Sequence, residues 1–136
     1  MIQIKEAKKK DFEELKNIIS KGAKEGKILK RNKNELQKLV LQKNLLIAID
    51  EEKIIGLAAL DYYSKRFSEL RTLYILPEHR SKGAGAMLVN AVIEKAKKKK
   101  IKELMTITTK ETAEWFKRHG FCEEAHKLKV ALFKEI

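Results

Sequence analysis

Leu73-Tyr-Ile-Leu-Pro-Glu-His-Arg80-Ser-Lys-Gly83-Ala-Gly85-Ala-Met-Leu88 is the stretch on which the reading of this chain turns. Glu69 to Ile75 reads as a strand, and Pro77, the only proline, stops it. From Lys82 to about Lys100 the apolar positions Ala84, Met87, Leu88, Ala91, Val92 and Ala96 recur on one face, which predicts an amphipathic helix. A strand, a short loop with two glycines and a helix form an anion-binding arrangement. The first turn of such a helix carries unbonded N–H groups and the positive end of the dipole. Gly83 and Gly85 remove side chains that would keep a pyrophosphate from the backbone. Two competing phosphate motifs are excluded. A P-loop needs Gly-x-x-x-x-Gly-Lys-Ser/Thr, which is absent. A dinucleotide fingerprint needs a small residue three after Gly85, where Leu88 stands.

Outward from that stretch, residues 1 to 5 alternate like an edge strand. Asp11-Phe-Glu-Glu14 reads as an N-cap with its reciprocal acid, followed by Phe12, Leu15, Ile19 and Ala23 at helical spacing. Asn34 to about Gln42 gives a second helix. Leu45 to Ile49 and Ile54 to Leu60 are apolar runs joined by Asp50-Glu-Glu-Lys53, a length that suits a hairpin. Beyond the central helix, Glu103 to Thr108 predicts a strand and Thr112 to His119 a short helix, with Gly120 placed to stop it. Lys127 to Phe133 predicts a last strand. The order β-αα-β-β-β-α-β-α-β gives a mixed sheet with helices on it, an α/β or α+β layer fold.

A length of 136 residues suits one compact domain over residues 1–136. There is no apolar run of about 18 residues to span a membrane, and Met1 to Lys5 lacks the features of a secretion signal. One cysteine excludes an internal disulfide framework, and the cytoplasm is the expected location. The net charge of +12 comes almost wholly from lysine, since only five of the 31 cations are arginine. A basic face for nucleic acid or membrane, a phosphate-rich ligand and a lysine-rich, heat-adapted proteome all fit it. Specific nucleic-acid readers favour arginine forks and exposed aromatics, of which there are few here. We therefore expect neither nucleic acid nor membrane as a partner.

The stretch from Leu73 to Leu88 resembles the acetyl-CoA motif of the GNAT (Gcn5-related) acetyltransferases, and Trp115-Phe-Lys-Arg-His-Gly120-Phe121 resembles the last helix of that family and its Gly-Phe ending. Gly26-Lys-Ile-Leu-Lys-Arg31, Ile54 to Leu60, Ser68-Glu69-Leu70 and Thr108 to Phe116 are similar to the acetyltransferase domain of N-acetylglutamate synthase. The resemblance implies a GNAT-like mixed, mostly antiparallel sheet flanked by about four helices. It also implies acetyl-CoA as cofactor and direct acetyl transfer to the amine of an amino acid or similar small molecule, glutamate among them. Typical synthases add an amino-acid-kinase-like domain, to which nothing in these 136 residues corresponds. A protein or polyamine acceptor, and a CoA-binding module without turnover, are the alternative readings. A homodimer is left open.

Residue by residue, the resemblance gives the backbones of Leu73, Tyr74 and Ile75 to the pantetheine arm, and the amides of Arg80, Ser81, Lys82, Gly83, Ala84, Gly85 and Ala86 to the pyrophosphate. Glu69 is the candidate base. It stands eleven residues before Arg80, the spacing of the catalytic Glu to this motif in histone-type members. An aliphatic ammonium is neutral only about one time in a thousand at pH 7, so attack on a thioester needs a carboxylate within reach. Phe116 occupies the place of the usual tyrosine acid, as in synthase-like members, so another group or water must protonate the thiolate. Thr109 stands where a CoA-contacting Asn is common. Arg31 is the candidate for the acceptor carboxylate, a task that suits a guanidinium fork. The synthases' Arg-x-Ser pair has no counterpart at His126-Lys127-Leu128, which leaves glutamate specificity unsupported. The run Lys97 to Lys100 starts about 21 Å along the helix from Gly83, too far to grip the pyrophosphate, and is expected to cap the helix dipole. Cys122 and His119 could be read as nucleophile and base, but direct transfer needs neither, and no metal is expected.

Overall fold

A computed structural model describes residues 1–123 and 134–135. The chain divides into two compact units, Met1–Thr106 and Ile107–Ile136.

The first unit carries β1 (Ile2–Glu6), α1 (Phe12–Lys24), α2 (Lys33–Leu41), β2 (Leu45–Asp50), β3 (Lys53–Asp61), β4 (Phe67–Ile75), α3 (Ala84–Lys98) and β5 (Glu103–Met105). The strands lie in the order β1-β2-β3-β4-β5. The first four are antiparallel and β5 runs parallel to β4. This is the mixed α+β architecture expected from the order of elements, mostly antiparallel as the family resemblance implies. Glu51 and Glu52 both have positive φ, 48° and 66°, as a two-residue type I′ hairpin between Asp50 and Lys53 requires.

Alternation along the strands sorts the core into two layers. Leu45, Ile47, Leu57 and Ala59 face one way, onto Leu15, Ile18 and Ile19 of α1 and Leu36 and Leu39 of α2. On the other side α3 crosses β1 to β4 and buries Leu88, Val89, Val92 and Ala96. Its last turn carries Lys95, Lys97 and Lys98, as the dipole favours. Lys95 reaches back to Glu6 at the end of β1.

Two irregularities shape the middle of the sheet. The register runs Leu57↔Tyr74 and then Ala59↔Arg71, so β4 spends three residues where β3 spends two. Thr72 sits in this bulge at φ 60°, unfavourable for a β-branched residue. The pairing of β4 with β5 ends at Glu69↔Met105, with Thr106 Oγ1 donating to Leu70 O at 3.0 Å just beyond it. From Arg71 to Ile75, among the described residues, no strand lies along that edge of β4.

Several element ends differ from the sequence expectation. The Asp11 carboxylate does not cap α1; it accepts from the Lys8 N–H at 2.8 Å and closes a 3-10 turn ahead of the helix. Helix α2 starts one residue early because Asn32 caps it, taking the Glu35 N–H at 2.8 Å. Strand β5 stops at Met105, short of the expected Thr108. The last strand expected over residues 127–133 lies outside the described residues.

In the second unit α4 (Lys110–Lys117), expected from Thr112 to His119, is capped by Thr109, and Gly120 follows it at φ 94°. Phe116 packs edge-on to Trp115 and Phe121, with ring centroids 5.0 and 5.3 Å away. Among the described residues no helix is long and apolar enough to cross a membrane. Nor do three or more His, Cys, Asp or Glu side chains there form a group that could hold a metal.

Candidate active site

The loop into α3 has the backbone features of an anion-binding turn. Gly83 takes φ 89°, a left-handed conformation that glycine adopts at no steric cost, and Ser81 is held at φ 65°. Neither a side-chain cap nor an acid occupies the first turn of α3, in contrast to the capped α2. Among the described residues, the first amide of this helix with a protein partner is that of Met87, bonded to Gly83 O at 3.1 Å. Among the described residues, the amides of Ala84, Gly85 and Ala86 are thus left without a backbone partner at the positive end of the dipole. Ser81 and Lys82 lead into them. The Arg80 amide is engaged, with Pro77 O at 3.3 Å.

The Arg80 side chain ties the loop to the neighbouring strand and helix. Its Nε donates to Ile75 O at 3.0 Å, and its guanidinium lies 5.3 Å over the Tyr74 ring. One terminal nitrogen meets both oxygens of Glu25 at 3.3 Å. The Tyr74 hydroxyl also donates to Glu25. That bond, seconded by Arg80, holds the Glu25 carboxyl below its usual range. Burial, then Glu25 itself, pushes the Tyr74 phenol up to about 12.

Next to the loop, the edge of β4 without a strand beside it contains Leu73, Tyr74 and Ile75, the residues expected to bond a pantetheine arm. The bulge at Thr72 lies between this edge and Glu69. Glu69 itself sits where the β4–β5 pairing ends, only 7% exposed. It shares a sheet face with Arg71, two residues on, and with Asp61, its direct partner on β3. The Tyr63 hydroxyl donates to Glu69 Oε1 at 2.7 Å. Burial first, then the Glu69 hydrogen bond and charge and the Asp61 charge, push the Tyr63 phenol up to about 12.

Arg31 is occupied. Its two terminal nitrogens meet the two oxygens of Asp61 at 3.0 and 2.5 Å, and Nε donates to Thr72 Oγ1 at 2.8 Å. Glu35 stands 3.7 Å away, and the Arg31 side chain is 2% exposed. The open fork expected from the sequence is a closed one, joining the α1–α2 connection to β3 and the bulge. Arg71, 29% exposed with Nε 3.9 Å from Asp61, is the more open cation on this face.

In the second unit Thr109 Oγ1 accepts from the Thr112 N–H at 3.4 Å, so this residue caps α4, and Phe116 lies in the aromatic cluster. His119 Nδ1 lies 2.8 Å from Trp115 O, and its ring stacks on Trp115. The sequence reading named Glu69 and the loop but missed Tyr63, Asp61 and Glu25. Only the spacing Asp61-x-Tyr63 before Glu69, across a hairpin, could have suggested two of them.

Known proteins share this architecture. The acetyltransferase (GNAT) domain family matches residues 42–123. Amino-acid acetyltransferases of Actinobacillus pleuropneumoniae and Pasteurella multocida are 28% and 29% identical over 112 and 113 residues, each match covering 82% of this chain. The chain spans about a quarter of the length of those relatives. Neisseria gonorrhoeae N-acetylglutamate synthase, solved with coenzyme A and N-acetyl-glutamate, superposes with a TM-score of 0.79 at 25% identity, over 88% of this chain and 28% of that one. A Mycobacterium tuberculosis protein in complex with CoA gives 0.81 at 23% identity, over 95% and 76%. The family match takes in the loop into α3, the bulged strand with Glu69 and the aromatic helix, and on it this chain belongs to the acetyltransferase (GNAT) domain family.

Proposed function

We propose that the chain transfers an acetyl group from acetyl-CoA directly to the amine of an amino acid or similarly small acceptor, with Glu69 as general base. Support comes from one observation above all: a buried carboxylate on the bulge-bearing strand, on the chain between the pairing with β5 and the free edge that leads to the anion loop. The amides of Ser81 to Ala86 hold the pyrophosphate, and the backbones of Leu73, Tyr74 and Ile75 align the pantetheine arm. Glu69 takes a proton from the ammonium, directly or through water. The freed amine attacks the thioester carbonyl carbon and the C–N bond forms; the C–S bond breaks, the thiolate leaves, and the second nitrogen proton passes to solvent or to the departing thiolate. With a thiol pKa of about 8.5, the thiolate leaves without a dedicated acid.

The similarity to amino-acid acetyltransferases favours a free amino acid as acceptor. A high positive charge favours an anionic acceptor over a polyamine. For a substrate carboxylate, Arg31 is available only if Asp61 is displaced. Breaking a buried pair costs about 3–5 kcal/mol. That supports a bracing part for Arg31 and gives the carboxylate to Arg71. The test is a panel of amino acids, polyamines and N-terminal peptides assayed for free thiol release from acetyl-CoA. Turnover confined to amino acids is expected. Turnover only with peptides or polyamines would overturn the acceptor class, and thiol release with no acceptor tried would overturn direct transfer.

A further inference from the structure

Tyr63 is held in place more firmly than a half-exposed side chain needs. It lies in the hairpin between β3 and β4, which is closed by Ser64 N–H to Phe67 O at 3.1 Å. Ser64 Oγ accepts from the Phe67 N–H at 3.2 Å. Ser68, fully buried, donates through Oγ to Ser64 O at 3.1 Å and accepts the Tyr63 N–H at 3.0 Å. The Tyr63 ring packs against Phe67 with centroids 5.5 Å apart. A buried hydroxyl thus fixes its backbone and an aromatic neighbour fixes its ring. With 51% of the residue exposed, burial alone does not account for that arrangement. Its one distinctive contact is the 2.7 Å hydrogen bond to Glu69 Oε1.

We infer that Tyr63 is a positioning residue for acetyl transfer, holding Glu69 by Oε1 so that Oε2 receives the proton of the acceptor ammonium. The inference rests on Glu69 being the base. Among the described residues Oε2 has no hydrogen-bond partner, so the two oxygens are unequal before any substrate arrives. With its phenol pushed up to about 12, first by burial and then by Glu69, Tyr63 keeps its proton at neutral pH and donates it to the hydrogen bond. The other charges on this face are spoken for: Asp61 faces Glu69 across the strands but is held by Arg31, and Arg71 leans toward Asp61. The proton therefore passes from ammonium nitrogen to Oε2, while the Tyr63 hydrogen bond stays where it is. A base held in one orientation spends more of its time in the geometry that proton transfer needs.

Tyr63→Phe keeps the ring on Phe67 and removes only the hydroxyl. In the full chain it is expected to lower kcat about tenfold, with KM for acceptor and for acetyl-CoA within about twofold and thermal unfolding unchanged. On a Glu69→Gln background the same substitution should cost nothing further, because the two residues act as one unit. Wild-type kcat in Tyr63→Phe overturns the inference, and so does a full tenfold loss added to Glu69→Gln. Wild-type turnover in Glu69→Gln alone overturns the base itself, an outcome separate from either.

Discussion

Asp61 and Glu69 stand directly opposite one another on β3 and β4, two carboxylates in one antiparallel register pair. Like charges in that position destabilise a sheet. Here each has its own partner: Arg31 closes on both oxygens of Asp61, and Tyr63 takes one oxygen of Glu69. Among the described residues, pairing is complete at Asp61 and partial at Glu69. The acid left with an unbonded oxygen is the one on the bulged strand, just before the edge that no described strand covers.

Glu69→Gln is expected to lower turnover about 10²-fold or more at pH 7, the usual scale for a general base. The loss should shrink toward high pH, where the acceptor amine deprotonates without help. Rate against pH for both proteins, under conditions limited by acetyl transfer, measures this. A constant deficit across the range would mean that Glu69 acts through substrate binding and not as a base.

Gly83→Val is expected to weaken coenzyme A binding severely and leave the fold standing. A Cβ at Gly83 meets nothing within 4 Å, so the protein has room for the side chain. The cost falls on the backbone, which sits at φ 89°, where an ordinary residue loses about 1–2 kcal/mol. Relaxing that strain re-aims the amides of α3. Calorimetric titration with coenzyme A, beside circular dichroism of the variant, separates lost binding from lost structure. Full affinity in a folded Gly83→Val would remove the anion loop from the argument.

Glu6 gives the fold a pH dependence of known sign. Its hydrogen bond to Lys95, the largest cause, with the Lys95 charge in support, lowers its pKa in the folded state. Stability from a carboxyl lowered in this way is present above its unfolded pKa and is lost as pH falls through the folded one. Glu6→Gln should therefore lower stability at pH 7, by under about 1 kcal/mol for so accessible a pair. The gap to wild type should close in acid, below the ordinary carboxylate range. Urea midpoints at pH 7 and pH 3 test it, and a gap that persists at pH 3 would assign the effect to packing.

Much of this was legible in the sequence because local rules decided it. The face of α3, the glycine that caps it and the stop at Pro77 follow from periodicity and backbone freedom, and they set out the loop between β4 and α3. Glu69 could be picked out from its spacing to Arg80. What sequence could not show is cross-strand. Asp61 meets Glu69 only through the register of β3 on β4, and that register includes a bulge carried by a threonine in place of the glycine a reader would look for. Arg31 looked like one more cation in a basic stretch. Its partner lies 30 residues away, beyond any helical or hairpin rule.

Arg31 therefore carries the sharpest test of how the acceptor side is built. If it binds the acceptor's carboxylate, Arg31→Ala should raise acceptor KM roughly ten- to a hundred-fold, the cost of about 1.5–3 kcal/mol for a charge-assisted contact, and leave stability nearly unchanged. If it braces the fold, Arg31→Ala strands Asp61, whose side chain is 14% exposed, and frees the Thr72 hydroxyl at the bulge. Stability should then fall by about 3–5 kcal/mol, the usual cost of removing one partner from a buried pair. We expect the second result. Arg31→Lys should recover only part of that loss, because a point charge cannot satisfy both Asp61 oxygens and Thr72 together. Removing both charges in Arg31→Met with Asp61→Leu should recover more than Arg31→Lys does, since it removes the buried carboxylate that Arg31→Ala leaves behind; Arg71 and Glu35, which lose a partner, are more exposed. Arg71→Ala, with its more open side chain, is expected to spare stability and raise acceptor KM. Urea unfolding and acceptor saturation curves on the same four proteins decide the matter, and an Arg31→Ala protein of wild-type stability with a raised acceptor KM would return the carboxylate to Arg31.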